Sequence, residues 1–212
     1  TLVAAPQAKP LSGSVMSFTA ANSDYVSIPE ITLSGDCAFS YRHNVQSTLT
    51  YQLGRSGSTL SRFGVSTTQL AFNTQTGFTT TLLDTPISVG WHDIALVRTG
   101  TIYSIYVDGV LNTTITHDTT DFIFNTIARN GSFYASIDIH SLLFFDNTLS
   151  NLQISTLYNN PQRIIELGRE YGADRIYVPS ANSGVGTGLF NVLPDYSGNK
   201  QNGTFTVSVF EV

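Results

Sequence analysis

The chain has 212 residues, with ten Lys and Arg against fifteen Asp and Glu and a formal net charge of −5, so it lacks the basic field that would attract a nucleic acid. Charged residues make up only 12% of the sequence and hydrophobic residues 41%, while 27 Thr, 23 Ser and 14 Asn supply most of the polar side chains. This composition disfavours both a helical protein and a disordered one. No apolar run approaches the roughly 20 residues of a membrane-spanning helix, so we expect no membrane insertion.

Residues 1–13 are expected to form an N-terminal arm. The segment Thr1–Pro10 lacks the basic start and the longer apolar stretch of a secretory signal. Arms of this kind often tie subunits together, so a homo-oligomer or a capsid assembly through the arm is one expectation.

The region from residue 14 to residue 145 shows short apolar or alternating runs separated by Ser, Thr, Gly, Asn and Asp, a pattern typical of a two-sheet sandwich. Asp108-Gly109 between two β-rich runs predicts a type I′ hairpin turn. The continuous apolar run Ile94–Val97 predicts a strand that is covered on both faces. The predicted strands are Ser14–Thr19, Asp24–Ile28, Cys37–Asn44, Thr48–Leu53, Leu60–Val65, Gln69–Asn73, Phe78–Leu83, Trp91–Arg98, Ile102–Val107, Val110–Thr116 and Ala135–Phe145.

The periodicity changes after residue 149. Ser150 and Gln153 have the spacing of a capping box and predict the start of a short helix. A second helix is expected from Pro161 to a C-terminal cap at Gly172. Residues 14–160 then form the main body of one domain, and residues 161–212 complete it with a helix, a loop at Ala181–Gly188 and a strand at Thr204–Phe210.

Five stretches resemble, nearly in order, the laminin-G-like and pentraxin-like jelly rolls of the concanavalin A-like lectin/glucanase superfamily. They are Phe18–Pro29, Asp36–His43, Trp91–Val110, Ile139–Ser150 and Asp195–Thr204. The last stretch departs from the family, in which this turn usually lies near the amino end. The resemblance implies an all-β, two-sheet antiparallel jelly-roll sandwich with one or two short C-terminal helices. It does not imply an activity, because this scaffold carries glycan binding, adhesion, hydrolysis and structural roles.

Catalysis is not expected, and no catalytic residue is assigned. A glycoside hydrolase needs two carboxylates across a groove, but the four Glu residues do not form the Glu-x-Asp-x-x-Glu strand of the related glucanases. They are Glu30, Glu166, Glu170 and Glu211. Composition leaves a Ser/His/Asp triad open, although no Gly-x-Ser-x-Gly elbow favours one.

No metal or other cofactor is expected. Loop carboxylates at Asp108, Asp118 and Asp121 could ligate calcium, but polar turns that cap their own backbone explain them equally well. Residues 127–133 lack the acidic calcium ligands of the pentraxin-like members. The single Cys37 excludes a cysteine-based zinc site and predicts a buried, inert thiol.

The candidate ligand-binding residues are Arg42, Asn44, Ser104 and Tyr106. They have the opposite strand parity to apolar neighbours such as Phe39 and Tyr103, so they would share a polar face if their strands lie side by side. The alternative is an ordinary solvated outer sheet face.

The expected function is that of a non-catalytic structural and recognition protein with a lectin-like domain at a virion surface, for example a phage capsid decoration or a tail- or fibre-associated component. The alternative is a stand-alone extracellular carbohydrate-binding or adhesion module, and a glycoside hydrolase ranks last. The expected partners are a glycan or neighbouring protein subunits, and the expected location is the virion surface or the extracellular space.

Overall fold

The computed structural model describes residues 15–179 and 192–206. The expected arm at residues 1–13, the loop at residues 181–188 and residues 207–210 of the last predicted strand lie outside these described residues.

Two short helices and seventeen strands make up the described part of the chain. Their bounds are β1 Met16–Phe18, β2 Tyr25–Leu33, β3 Cys37–Val45, β4 Thr50–Arg55, β5 Ser58–Val65, β6 Gln69–Asn73, β7 Phe78–Leu82, β8 Gly90–Thr99, β9 Ile102–Val107, β10 Val110–Thr116, β11 Phe122–Ile127, β12 Arg129–Asn130, β13 Phe133–Tyr134, β14 Ile137–Phe145, α1 Asn151–Asn159, α2 Ile164–Glu170, β15 Arg175–Tyr177, β16 Val192–Leu193 and β17 Gly203–Thr206.

The strands form two antiparallel sheets that pack face to face. The seven-stranded sheet has the order β1-β14-β3-β8-β9-β10, with β15 also paired to β14. The eight-stranded sheet has the order β16-β17-β2-β11-β4-β5-β6-β7. Buried rings meet between the sheets, and Phe39 packs against Phe63, Phe122, Phe124 and Phe144. The predicted all-β sandwich is confirmed.

Local sequence signals account for two of its features. Asp108 and Gly109 have φ angles of 51° and 78°, and Val107 pairs with Val110 across them, which confirms the predicted hairpin. The apolar run of β8 is covered on both faces as predicted, because Ile94 and Leu96 enter the core between the sheets while Ala95 and Val97 pack on the other side.

The two helices cover the outer face of the seven-stranded sheet. Helix α1 begins with the predicted capping box, in which Ser150 and Gln153 exchange hydrogen bonds. Its buried residues Ile154 and Leu157 join Ala95 and Leu143 of the sheet in a second apolar cluster. Among the described residues, neither helix is long and apolar enough to cross a membrane.

Five of the described strands were not expected from the sequence, namely β11, β12, β13, β15 and β16. Strand β11 lies in the middle of the eight-stranded sheet, between β2 and β4. Strands β12 and β13 form a small separate hairpin. Strand β2 runs on to Leu33, beyond the expected end at Ile28.

The C-terminal segment adds one strand to the seven-stranded sheet and two, β16 and β17, to the eight-stranded sheet. Strand β15 pairs with β14, and β17 pairs with β2.

Candidate functional site

The four ligand-binding residues predicted from the sequence lie on the outer face of the seven-stranded sheet, but β8 separates Arg42 and Asn44 on β3 from Ser104 and Tyr106 on β9. Arg42 is 3% exposed, and its Nε donates to Asp93 Oδ2 at 2.8 Å. Burial raises the pKa of Asp93 to about 6, and the charge of Arg42 offsets this only in part. Arg42 is therefore engaged in a buried ion pair within the fold.

Helix α1 covers the other end of this predicted face. Tyr106 is 7% exposed, and its hydroxyl donates to Asn151 Oδ1 at 2.6 Å. Asn44 and Ser104 are half-buried, and the Asn44 amide donates to Asp138 at 3.3 Å. The recess beneath α1 measures only about 10 Å³, so the face offers little room for a ligand beside Tyr106.

Two of the three loop carboxylates considered for calcium, Asp118 and Asp108, accept hydrogen bonds from the chain itself. Asp118 accepts hydrogen bonds from the hydroxyls of Thr74, Thr76 and Thr120. Although burial opposes it, the hydrogen bonding lowers the pKa of Asp118 to about 2. Asp108 accepts from the backbone of Asp93 at 3.0 Å. Asp118 also accepts from the backbone amide of Thr120 at 2.9 Å, which is the local capping of the polar-turn explanation, whereas the Asp108 contact joins its turn to the distant strand β8.

The structure brings together a serine, a histidine and an aspartate in the arrangement of a catalytic triad. They are Ser88, His92 and Asp108. His92 Nδ1 lies 2.7 Å from Asp108 Oδ2, and Nε2 lies 3.2 Å from Ser88 Oγ. Nε2 also lies 3.1 Å from the Ser88 carbonyl oxygen, and which ring nitrogen carries the proton decides whether Nε2 donates to that oxygen or accepts from the Ser88 hydroxyl. His92 is fully buried. The arrangement therefore ties the loop before β8 to the turn between β9 and β10.

Two of the described glutamates, Glu30 and Glu166, also have ion-pair partners. Glu30 pairs with Arg55 at 3.2 Å, and Glu166 pairs with Arg163 at 2.9 Å.

The outer face of the eight-stranded sheet differs from that of its partner sheet because it carries a set of rings and cations that no helix covers. We call it the aromatic–arginine face and define it as Tyr25, Tyr51, Arg62, Phe78, Arg129, Phe133 and Tyr134. The alternation of each strand places Phe63 and Phe72 in the core and turns Arg62 outward.

A close backbone approach positions one side of this face. A Cβ atom added to Gly54 of β4 would lie 2.1 Å from the Arg129 carbonyl oxygen, so only glycine lets the β12–β13 hairpin lie against β4. The Gly131 amide donates to the Arg55 carbonyl at 3.0 Å, and the Ala128 amide donates to the Gln52 carbonyl at 2.9 Å. The hairpin is thereby fixed with Phe133 and Tyr134 beside β4.

A pocket opens between the hairpin and β4. It has a volume of about 200 Å³ and is lined by Leu49, Thr50, Tyr51, Phe133, Tyr134 and Ala135. Phe133 is 64% exposed, and the Tyr51 and Tyr134 side chains are half-buried. The volume is below the roughly 300 Å³ of small drug-binding pockets, so it suits a single ring-sized group with the rest of a ligand lying across the face.

Two arginines stack on the rings of this pocket. The Arg62 guanidinium carbon lies 4.5 Å from the centroid of the Tyr51 ring and 4.6 Å from that of Phe78. The Arg129 guanidinium carbon lies 4.6 Å from the Tyr25 centroid and 5.4 Å from the Tyr134 centroid. Cations at these distances are attracted to the ring faces and restrict the ring orientations.

The sequence contains a local signal for the β12–β13 hairpin of this face. Gly131-Ser132, which joins the paired residues Asn130 and Phe133, is a local indicator of a two-residue hairpin turn, whereas residues 127–133 were considered above only as calcium ligands. The stacking of Arg62 on Tyr51 had no comparable signal, because it depends on strand pairing between β4 and β5.

No family model matches the sequence, and the search of curated proteins found no similar one. Among solved structures, a protein from Bacteroides ovatus, whose description gives carbohydrate binding as its suggested role, superposes with a TM-score of 0.64 at 15% identity. The superposition covers 96% of this chain and 62% of that protein, so the chain spans about three fifths of its length.

Two further structures match more distantly. A SAP-like pentraxin from Limulus polyphemus has a TM-score of 0.47 at 13% identity, over 66% of this chain and 83% of its own. The CBM40 domain of a Ruminococcus gnavus sialidase has a TM-score of 0.45 at 12% identity, over 59% of this chain and 84% of its own. The likeness to the Bacteroides ovatus protein shows the fold alone, and it agrees with the two-sheet antiparallel jelly-roll sandwich that the sequence predicted.

Proposed function

We propose that the chain is a non-catalytic carbohydrate-binding module that binds its glycan at the aromatic–arginine face. The observation that carries this proposal is the pocket of about 200 Å³ with exposed Phe133 and half-buried Tyr51 and Tyr134 around it. Sugar rings present apolar faces edged by hydroxyl groups, so they pack well on aromatic side chains that have polar neighbours. The fold shared with the Bacteroides ovatus protein supports the same class of function.

A glycan array tests the proposal. We expect the purified chain to bind a subset of the arrayed oligosaccharides, and Phe133→Ala to weaken that binding about tenfold because the exposed ring is lost. Leu152→Ala is a matched control, since Leu152 is a similarly exposed apolar side chain at 75% but lies on α1, over the other sheet. Equal binding by both variants and the unchanged protein would contradict the proposed site, and no binding to any glycan would contradict the function.

The proposal also places the protein outside the cell, because glycans are displayed at cell surfaces and in extracellular material. Assembly into a virion or a homo-oligomer stays a prediction from composition, and no comparison supports a virion component. Light scattering with and without residues 1–13 tests it: a full-length oligomer that becomes monomeric without the arm supports assembly, and a monomer in both cases contradicts it.

A further inference from the structure

Two cations of the aromatic–arginine face have no acidic ion-pair partner among residues 15–179 and 192–206. The ion pairs of the described residues join Arg42 to Asp93, Arg55 to Glu30, Arg163 to Glu166 and Arg175 to Asp174, besides two that involve histidine. Neither Arg62 nor Arg129 takes part in any of them. In a chain with a net charge of −5, two unneutralised guanidinium groups on one face favour an anion there.

Arg62 is held in place although part of its hydrogen-bonding capacity is unused. Its Nε is buried and has no hydrogen-bond partner within residues 15–179 and 192–206. Tyr51 and Phe78 approach the guanidinium from strands on opposite sides of β5. A buried donor without a partner costs free energy, and a ligand that supplies an acceptor here would recover it.

The two cations flank the pocket. Tyr51 lines the pocket and also stacks with Arg62, while Tyr134 lines it and stacks with Arg129. Arg129 also lines a second, more open recess of about 370 Å³ with Gly57, Ser58, Gly131 and Ser132. Each of these two pocket tyrosines therefore also contacts one guanidinium group, while neither arginine is among the residues that line the pocket.

We propose that this face selects acidic oligosaccharides, with Arg62 contacting the carboxylate of a sugar acid whose ring occupies the pocket. A guanidinium is planar and presents parallel N–H donors that match a carboxylate, which a hydroxyl group cannot do. Arg129 adds a second cation for an acidic residue further along the glycan. This inference rests on the proposed carbohydrate binding and adds the chemical class of the ligand.

The experiment has two steps. A glycan array of neutral and carboxylate-bearing oligosaccharides first identifies the acidic glycan that binds best. Calorimetry then compares the affinity of this glycan with that of its own methyl ester. The ester keeps the ring and the size of the ligand but removes the charge. We expect the acid to bind about tenfold or more tightly than the ester, and its affinity to fall as sodium chloride is raised. Arg62→Gln should abolish this preference, and Arg62→Lys should retain part of it because the charge remains.

Arg163→Gln is the matched control, since it removes one positive charge from an exposed helix over the opposite sheet. Thermal unfolding of each variant separates loss of the fold from loss of the contact.

The outcomes separate the two proposals. Binding to neutral glycans alone, or equal binding of the acid and its ester, overturns the acidic selectivity and leaves the proposed function standing. The same preference in Arg62→Gln as in the unchanged protein overturns the role of Arg62. No binding to any arrayed glycan overturns both proposals.

Discussion

At the scale of single residues, the buried ion pair between Arg42 and Asp93 shows what strand parity alone cannot predict. Parity correctly put Arg42 on the outer face of its strand, paired across from Asp93. It could not reveal that the side chain is 3% exposed, because burial on an outer face depends on what covers it. The same holds for Tyr106, which α1 covers from a distant part of the sequence.

Replacing Arg42 should therefore affect stability. Arg42→Met leaves Asp93 without its cation in a buried position, and we expect the free energy of unfolding to fall by about 3 kcal/mol. Urea unfolding at pH 7 measures this change. The double variant Arg42→Met with Asp93→Leu should recover much of the loss, because neither charge then remains buried. An Arg42→Met protein of unchanged stability that fails to bind glycan would instead support the ligand-binding role predicted from the sequence.

The buried residue His43 makes the stability of the fold depend on pH. Burial, with a smaller effect of His92, lowers the pKa of His43 to about 3, and neither ring nitrogen makes a hydrogen bond among the described residues. The unfolded chain takes up a proton below the ordinary histidine pKa of about 6.5 while the folded chain stays neutral. The stability contributed by this residue is therefore present above about pH 6.5 and is lost as the pH falls toward 3.

The substitution His43→Phe should remove this loss of stability at low pH. Between pH 7 and pH 4 we expect the unchanged protein to lose about 3 kcal/mol more unfolding free energy than the variant, measured by urea unfolding at each pH. Asp93 acts in the opposite direction, because its raised pKa adds stability as the pH falls from about 6 toward 4, but it is present in both proteins and cancels. Parallel pH curves for the two proteins would contradict this account.

At the scale of elements, the sequence predicted the turns and helix starts that local residues specify. It missed strands whose formation depends on pairing with distant strands. The β9–β10 hairpin was found because Asp108-Gly109 specifies its own turn. Strand β2 was ended too early at Ile28 because Pro29 has no amide hydrogen for the ladder. In the sheet, the pairing of β2 with β11 shifts register between Ile31 and Ser27, and this irregularity accommodates the proline within the strand.

The β12–β13 hairpin is the element on which the proposed site most depends. Gly54→Ala would place a methyl group 2.1 Å from the Arg129 carbonyl oxygen, so the hairpin must move away from β4. We expect glycan binding to be lost, together with about 2 kcal/mol of unfolding free energy, and calorimetry with urea unfolding measures both.

Gly57→Ala is the control for this change. Gly57 has a φ of 73° and no atom within 4 Å of an added Cβ, so alanine strains the adjacent turn without pushing the hairpin. Similar loss of binding in both variants would show that general destabilisation, and not the placement of the hairpin, explains the effect.

At the scale of the whole molecule, the two sheets differ in what covers them. Helices α1 and α2 pack on the outer face of the seven-stranded sheet, whereas the rings of the aromatic–arginine face remain partly exposed on the eight-stranded sheet. The sequence predicted both the sandwich and the helices, but the sheet that each helix covers follows from the tertiary structure. The central claim is therefore that glycan binds at the eight-stranded sheet.

A nuclear magnetic resonance titration with the best glycan from the array tests this claim most directly. We expect the amide shift changes to cluster on Tyr51, Arg62, Phe133 and Tyr134. Changes that cluster instead on Asn44, Ser104 and Tyr106 would place the ligand on the seven-stranded sheet and contradict the account.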